Sequence, residues 1–151
     1  MTGKADFTET EWDLVREGPG TAGMITLLAS SGGSFRETWA LAKTFAEARQ
    51  QQGQSELLDA LVDEKPDLER YGSAEEAELK GLGQLREAVA LLEQRATPEE
   101  VESYRLFTLG VAHRVSEAHK EQGEAVSPEE REAIAKIEAS LTAGSSAPEP
   151  E

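Results

Sequence analysis

At five points in this chain a Ser or Thr stands three residues before a Glu, just upstream of helical apolar spacing: Thr8/Glu11, Ser34/Glu37, Ser73/Glu76, Thr97/Glu100 and Ser127/Glu130. A hydroxyl in that place accepts from a first-turn backbone N–H, and the carboxylate reaches back to the N–H of the capping residue. Each pair therefore predicts a helix start. Seven Ser/Thr-x-x-Glu/Gln pairs occur in all, against roughly four to five from random placement. Placement carries the argument more than number. Thr44/Glu47 and Ser146/Glu149 fall inside a helix and in the tail, whereas the other five precede apolar periodicity and two are followed by Pro98 and Pro128. Proline suits the first helical position, where its missing N–H has no partner to lose.

The helices follow from these starts. Phe7 before the Thr8 cap and Trp12 after it form a hydrophobic staple at the head of a helix over about 9–17. Gly18-Pro19-Gly20 is expected to break it, because proline cannot continue the hydrogen-bond ladder. A strongly apolar helix over about 21–30 comes next, ended by Ser31-Gly32-Gly33. Phe35, Trp39, Ala42 and Ala46 recur at helical spacing over about 35–51, and Leu57, Leu58, Leu61 and Val62 mark a short helix before Pro66. Leu82, Leu85, Val89 and Leu92 form the seam of a helix over about 74–95, in which Gly81 and Gly83 permit a close approach, a kink or a break. The helix over about 98–122 carries Val101, Tyr104, Val111 and Val115 on one stripe, widened by Leu106, Leu109 and Ala112, so it is expected to be central. Ile134, Ile137 and Leu141 bury the face of a last helix over about 128–141.

Composition supports helices over sheets. The chain has 151 residues, 38% apolar and only 5% aromatic, so its core is built from Leu, Ala and Val. The fold class is therefore all-α: a single compact bundle of about seven helices over 7–142, with a flexible N-terminus (1–6) and a flexible acidic tail (143–151).

Formal net charge is −15. Long-range repulsion then opposes binding to nucleic acid or to an anionic membrane surface. Twelve acids lie in or near first turns: Glu9, Glu11 and Asp13; Glu75, Glu76 and Glu78; Glu99, Glu100 and Glu102; Glu129, Glu130 and Glu132. Negative charge is favourable at helix N-termini, so these clusters are read as helix starts before they are read as a docking surface or cation site.

Chemistry-bearing patterns are sparse. There is no Cys, no zinc-binding His-Glu-x-x-His and no nucleophile elbow. His113 and Glu117 share a helix face, while His119 sits about 120° away, so the histidines do not converge on a metal. The glycines at 18, 20, 32 and 33 match no phosphate loop, and Asp59, Asp63, Glu64 and Asp67 lack EF-hand spacing. Trp12, Phe35, Trp39, Phe45, Tyr104 and Phe107 are assigned to the core or its edge. The expectation is no catalytic, cofactor-binding or metal-ligating residue and no cofactor. No stretch approaches the roughly 20 apolar residues of a membrane span, and 1–6 lacks the apolar run of a secretion signal, so a cytoplasmic setting is expected.

Phe7-Thr8 leading to Glu11-Trp12, Ala22-Gly23-Met24, Arg114-Val115-Ser116-Glu117-Ala118 and the run from Val126-Ser127 to Leu141 resemble a family of small, uncharacterised, all-helical bacterial proteins. That family often joins its last two helices through a Gly- and Phe-rich loop; here the link is Glu121-Gln122-Gly123-Glu124-Ala125. In size, acidity and helix content the chain is also similar to the tellurite-resistance B-like proteins, which implies divalent-cation binding in a stress response. The residues themselves favour a non-enzymatic acidic protein acting on a protein partner. A homodimer is expected if the apolar face of 21–30 is exposed, and a monomer if it is buried.

Overall fold

The computed structural model describes residues 4–29, 43–48, 50, 57, 60, 61, 73–121 and 128–143. Among them it is almost entirely helical and contains no strand. A 3-10 turn (Lys4–Asp6) precedes α1 (Glu9–Ala29), and three further helices follow: α2 (Ala74–Arg95), α3 (Pro98–Glu121) and α4 (Pro128–Ala143). Residues 43–48 are helical as well. Most of the expected helix over 35–51, the loop residues around Pro66, the caps Ser34 and Ser127, and the tail beyond 143 lie outside the described residues.

The expected starts are realised where they are described. The Thr8 N–H donates to Glu11 Oε1 at 2.9 Å, and the Glu11 N–H donates to Thr8 Oγ1 at 3.2 Å. Thr97 and Glu100 repeat this reciprocal pair at 3.0 and 3.2 Å. Ser73 caps α2 by accepting from the Glu76 N–H at 3.1 Å. The staple forms too: the Phe7 and Trp12 rings lie 5.8 Å apart, and Trp12 is buried.

The count of about seven helices requires correction. Gly18-Pro19-Gly20 does not separate two helices; α1 runs through it for 21 residues. Proline withholds the N–H that should reach the carbonyl of Val15, four residues back. Tyr104 on α3 fills that gap: its buried hydroxyl donates to the Val15 carbonyl at 2.7 Å. Gly18 makes the approach possible, since a Cβ there would lie 1.9 Å from Tyr104 Oη. The sequence therefore signals a break, and a tertiary contact cancels it.

Among the described elements α1 makes the most extensive contacts, chiefly with α2 and α3. Gly18, Pro19, Gly20, Thr21, Ala22 and Gly23 are consecutive and all buried. A helix turn enclosed on every side needs small residues, and this one has them. By contrast α3 keeps an open face, on which Leu106 is 61% exposed. The apolar stripe of 21–30 is largely buried in this arrangement, with Ala22, Ile25 and Leu27 in the core.

α2 is continuous through both glycines. Gly81 is a close approach, because a Cβ there would meet Ile25 Cδ1 at 2.7 Å and Thr21 Cγ2 at 3.0 Å on α1. Gly83 and Gly110 have nothing of the described structure within 4 Å of such a Cβ. The core between these helices holds Trp12, Tyr104, Leu85, Leu92, Ile137 and Leu141, each large apolar side chain contributing about 1.5–3 kcal/mol by burial. Phe45 packs edge-on to Phe107 at 5.5 Å, joining the 43–48 stretch to α3.

Two stability outcomes follow from this geometry. Tyr104→Phe strands the buried Val15 carbonyl and should cost about 1–3 kcal/mol in urea unfolding. Gly18→Ala should cost about 3 kcal/mol in the native background by overpacking, and markedly less in the Tyr104→Phe background, where the obstructing oxygen is gone. Among the remaining glycines, Gly83→Ala and Gly110→Ala should each stabilise by up to about 1 kcal/mol, while Gly81→Ala should give no such gain. Equal effects at all four positions would contradict the packing described.

Candidate functional site

The carboxylates at the helix starts are the sequence's densest chemical feature, and the structure shows what they touch. Glu11 accepts from both ends of the Arg95 guanidinium at 2.8 Å, in addition to its bond from the Thr8 N–H. Arg95 also donates to the Asp6 carbonyl at 3.1 Å. The start of α1 is thereby clasped to the end of α2, where a cation also complements the helix dipole. Hydrogen bonding to Arg95, then to the Thr8 backbone, holds the Glu11 carboxyl below its ordinary value of 4.5. Arg95 is raised in turn by the same contact.

Other acids are similarly engaged. Lys136 on α4 donates to Glu78 on α2 at 2.9 Å, which raises the lysine above its ordinary value. Lys80 pairs with Glu76 one turn back at 2.9 Å. Arg105 is held by three acceptors: the Leu141 carbonyl at 2.8 Å, Glu102 at 3.0 Å and Glu93 at 3.2 Å. Arg114 is paired with Glu47. These contacts make the acids structural fasteners between helices as well as helix starts. Among the described residues no group of three or more His, Cys, Asp or Glu gathers where it can hold a metal ion.

A shallow cleft of about 280 Å³ opens at the α2–α3 corner, lined by Glu93, Ala96, Pro98, Val101 and Arg105. It lies near the lower limit for a small-molecule site. Its two charged walls are already bonded to each other, so the cleft presents apolar surface and a neutralised ion pair. It can seat a small apolar group; its walls contain no nucleophile.

Another solvent-facing feature is the outer stripe of α3. Glu99, Glu102, Leu106, His113 and Glu117 are exposed, and no described residue occupies the space beside Gly110. His113 and Glu117 thus share an exposed face, as the spacing predicts. Among the aromatic residues Trp12, Phe45 and Tyr104 are buried and Phe107 is half-buried; Phe35 and Trp39 lie outside the described residues, as do Asp59, Asp63, Glu64, Asp67 and the side chain of His119.

No protein-family model, curated protein or solved structure matches this chain. Its residues and their contacts therefore carry the functional argument.

Sequence reasoning missed two features. Leu106 reads as part of a wide apolar stripe, yet faces solvent, and Leu79 on α2 is 79% exposed. Each leucine is followed four residues later by a mid-helix glycine, Gly83 or Gly110, but Leu14 and the packed Gly18 share that spacing, so the sequence does not separate the cases. Among the described residues no helix is long and apolar enough to cross a membrane.

The Glu11 clasp has a pH signature. A depressed carboxyl contributes stability above the unfolded-state value of 4.5 and loses it as pH falls through the lower folded value. Glu11→Gln should therefore be less stable than the native chain at neutral pH, and the gap should close on acidification below 4.5. Melting temperatures of the two proteins across that range measure it. A gap that persists at the acid end would show that the clasp's charge is not its contribution.

Proposed function

We propose that this chain is a non-enzymatic, cytoplasmic helical protein that works by binding another protein through an acidic helical surface. The observation that carries the reading is the solvent face of α3, where an exposed leucine lies between carboxylates in a chain of net charge −15. Basic and apolar groups together complement such a face, and a protein surface offers both. Nucleic acid and anionic lipid are disfavoured by the same charge. The described carboxylates that fasten helices to one another support a structural use for part of the acidity, leaving the outward ones for recognition.

Affinity capture from the source cells, followed by reconstitution with each purified candidate, tests the reading. A partner should bind stoichiometrically at low salt and more weakly as ionic strength screens the contact. Candidates that fail to rebind at every ionic strength would overturn it.

A further inference from the structure

We infer that the outer face of α3 is the docking surface for a basic amphipathic helix of a partner protein, with one aliphatic side chain of that helix seated over Gly110. The inference rests on the protein-binding reading above and names the partner's chemistry.

Residues at i, i+3, i+4 and i+7 on one helix form the four-sided hole that receives a side chain from a neighbouring helix. Leu106, Leu109, Gly110 and His113 make such a hole. Leu106 forms its exposed wall, and Leu109 packs partly against the core. Gly110 leaves the floor open, with nothing of the described structure within 4 Å of where a Cβ would stand. A mid-helix glycine costs about 1 kcal/mol relative to alanine, and nothing in the described fold uses the space it leaves.

Charge selects the occupant. Along the same stripe the exposed Glu99 lies on one side of the hole and the exposed Glu117 on the other, while Glu102 is engaged by Arg105 at 3.0 Å. The stripe spans roughly 27 Å, the length of an 18-residue helix at about 1.5 Å per residue. Arg105 and Arg114, on the same helix, are held by Glu93, Glu102 and Glu47. The face is therefore apolar at its centre and negative at both ends, which fits a helix with an aliphatic middle and lysines or arginines a turn or more away. A second copy of this chain is opposed, since it brings another net charge of −15.

The molecule contains its own comparison. On α2, Leu79, Leu82, Gly83 and Arg86 form a hole of the same geometry, again open over the glycine. Its border includes Lys80, paired with Glu76 at 2.9 Å, and the exposed Arg86 at the far corner of the hole, which disfavours a basic helix there.

The test uses the full chain and a synthetic Leu/Lys peptide of amphipathic helical pattern, beside a peptide of the same composition in scrambled order. Binding is followed by fluorescence anisotropy and by NMR shifts at low and high salt. The patterned peptide should bind more tightly and shift the resonances of Leu106 and Gly110. Gly110→Met should weaken it by roughly tenfold while leaving the melting temperature unchanged or raised, and Gly83→Met should leave it unaltered. Equal binding of the scrambled peptide, shifts on another face, or equal effects of the two methionine variants would overturn the inference. Self-association abolished by Gly110→Met would also overturn it, by making a second copy the occupant. A reconstituted native partner that ignores Gly110→Met removes this docking surface but leaves the broader reading standing, whereas the lack of any reconstitutable partner removes that reading.

Discussion

One hydrogen bond lets the architecture close. Pro19 removes a rung from α1, and the carbonyl it abandons at Val15 faces the interior, where water cannot satisfy it. The Tyr104 hydroxyl supplies the missing donor from α3. Burial pushes that phenol well above its ordinary value, so it remains a donor across the accessible pH range. Because Gly18 lacks a side chain, the ring reaches the backbone. Three residues on two helices, Gly18, Pro19 and Tyr104, thus solve one problem together, and α1 stays a single rod around which α2 and α3 pack.

Acidity is distributed between two tasks. Carboxylates at helix starts complete the first turns, and several of the same groups reach across to cations on other helices. Glu11, Glu78 and Glu93 hold Arg95, Lys136 and Arg105 in this way. Such partly exposed pairs contribute little individually in water; their value here is geometric, because each fixes one helix end against another. On the outward face of α3, Glu102 engages Arg105 one turn on, and Glu99 and Glu117 give that face its sign.

Local signals were well represented in the chain's residues. Thr8/Glu11, Ser73/Glu76 and Thr97/Glu100 start helices where their spacing says, and Phe7 meets Trp12 as a staple must, because capping involves atoms only three or four residues apart. The all-helical class was legible for the same reason. What was not legible depended on distant partners. Nothing near Pro19 reveals that Tyr104, 85 residues later in sequence, will replace its lost hydrogen bond, so a break was expected where a continuous helix stands. The apolar spacing around Leu106 was likewise ambiguous: periodicity gives the width of a stripe but not which of its edges meets solvent. The candidate docking face was legible only as Gly110, a glycine that lets a neighbour come close; that no described element takes the place appears once the neighbouring helices are set.

Glu11 has a further consequence. One carboxylate closes the first turn of α1 and grips the last turn of α2, so fraying at either end releases the other. Secondary and tertiary order at this corner are thereby linked through one side chain, and the two helix ends are expected to exchange their amide hydrogens together rather than each from its own tip.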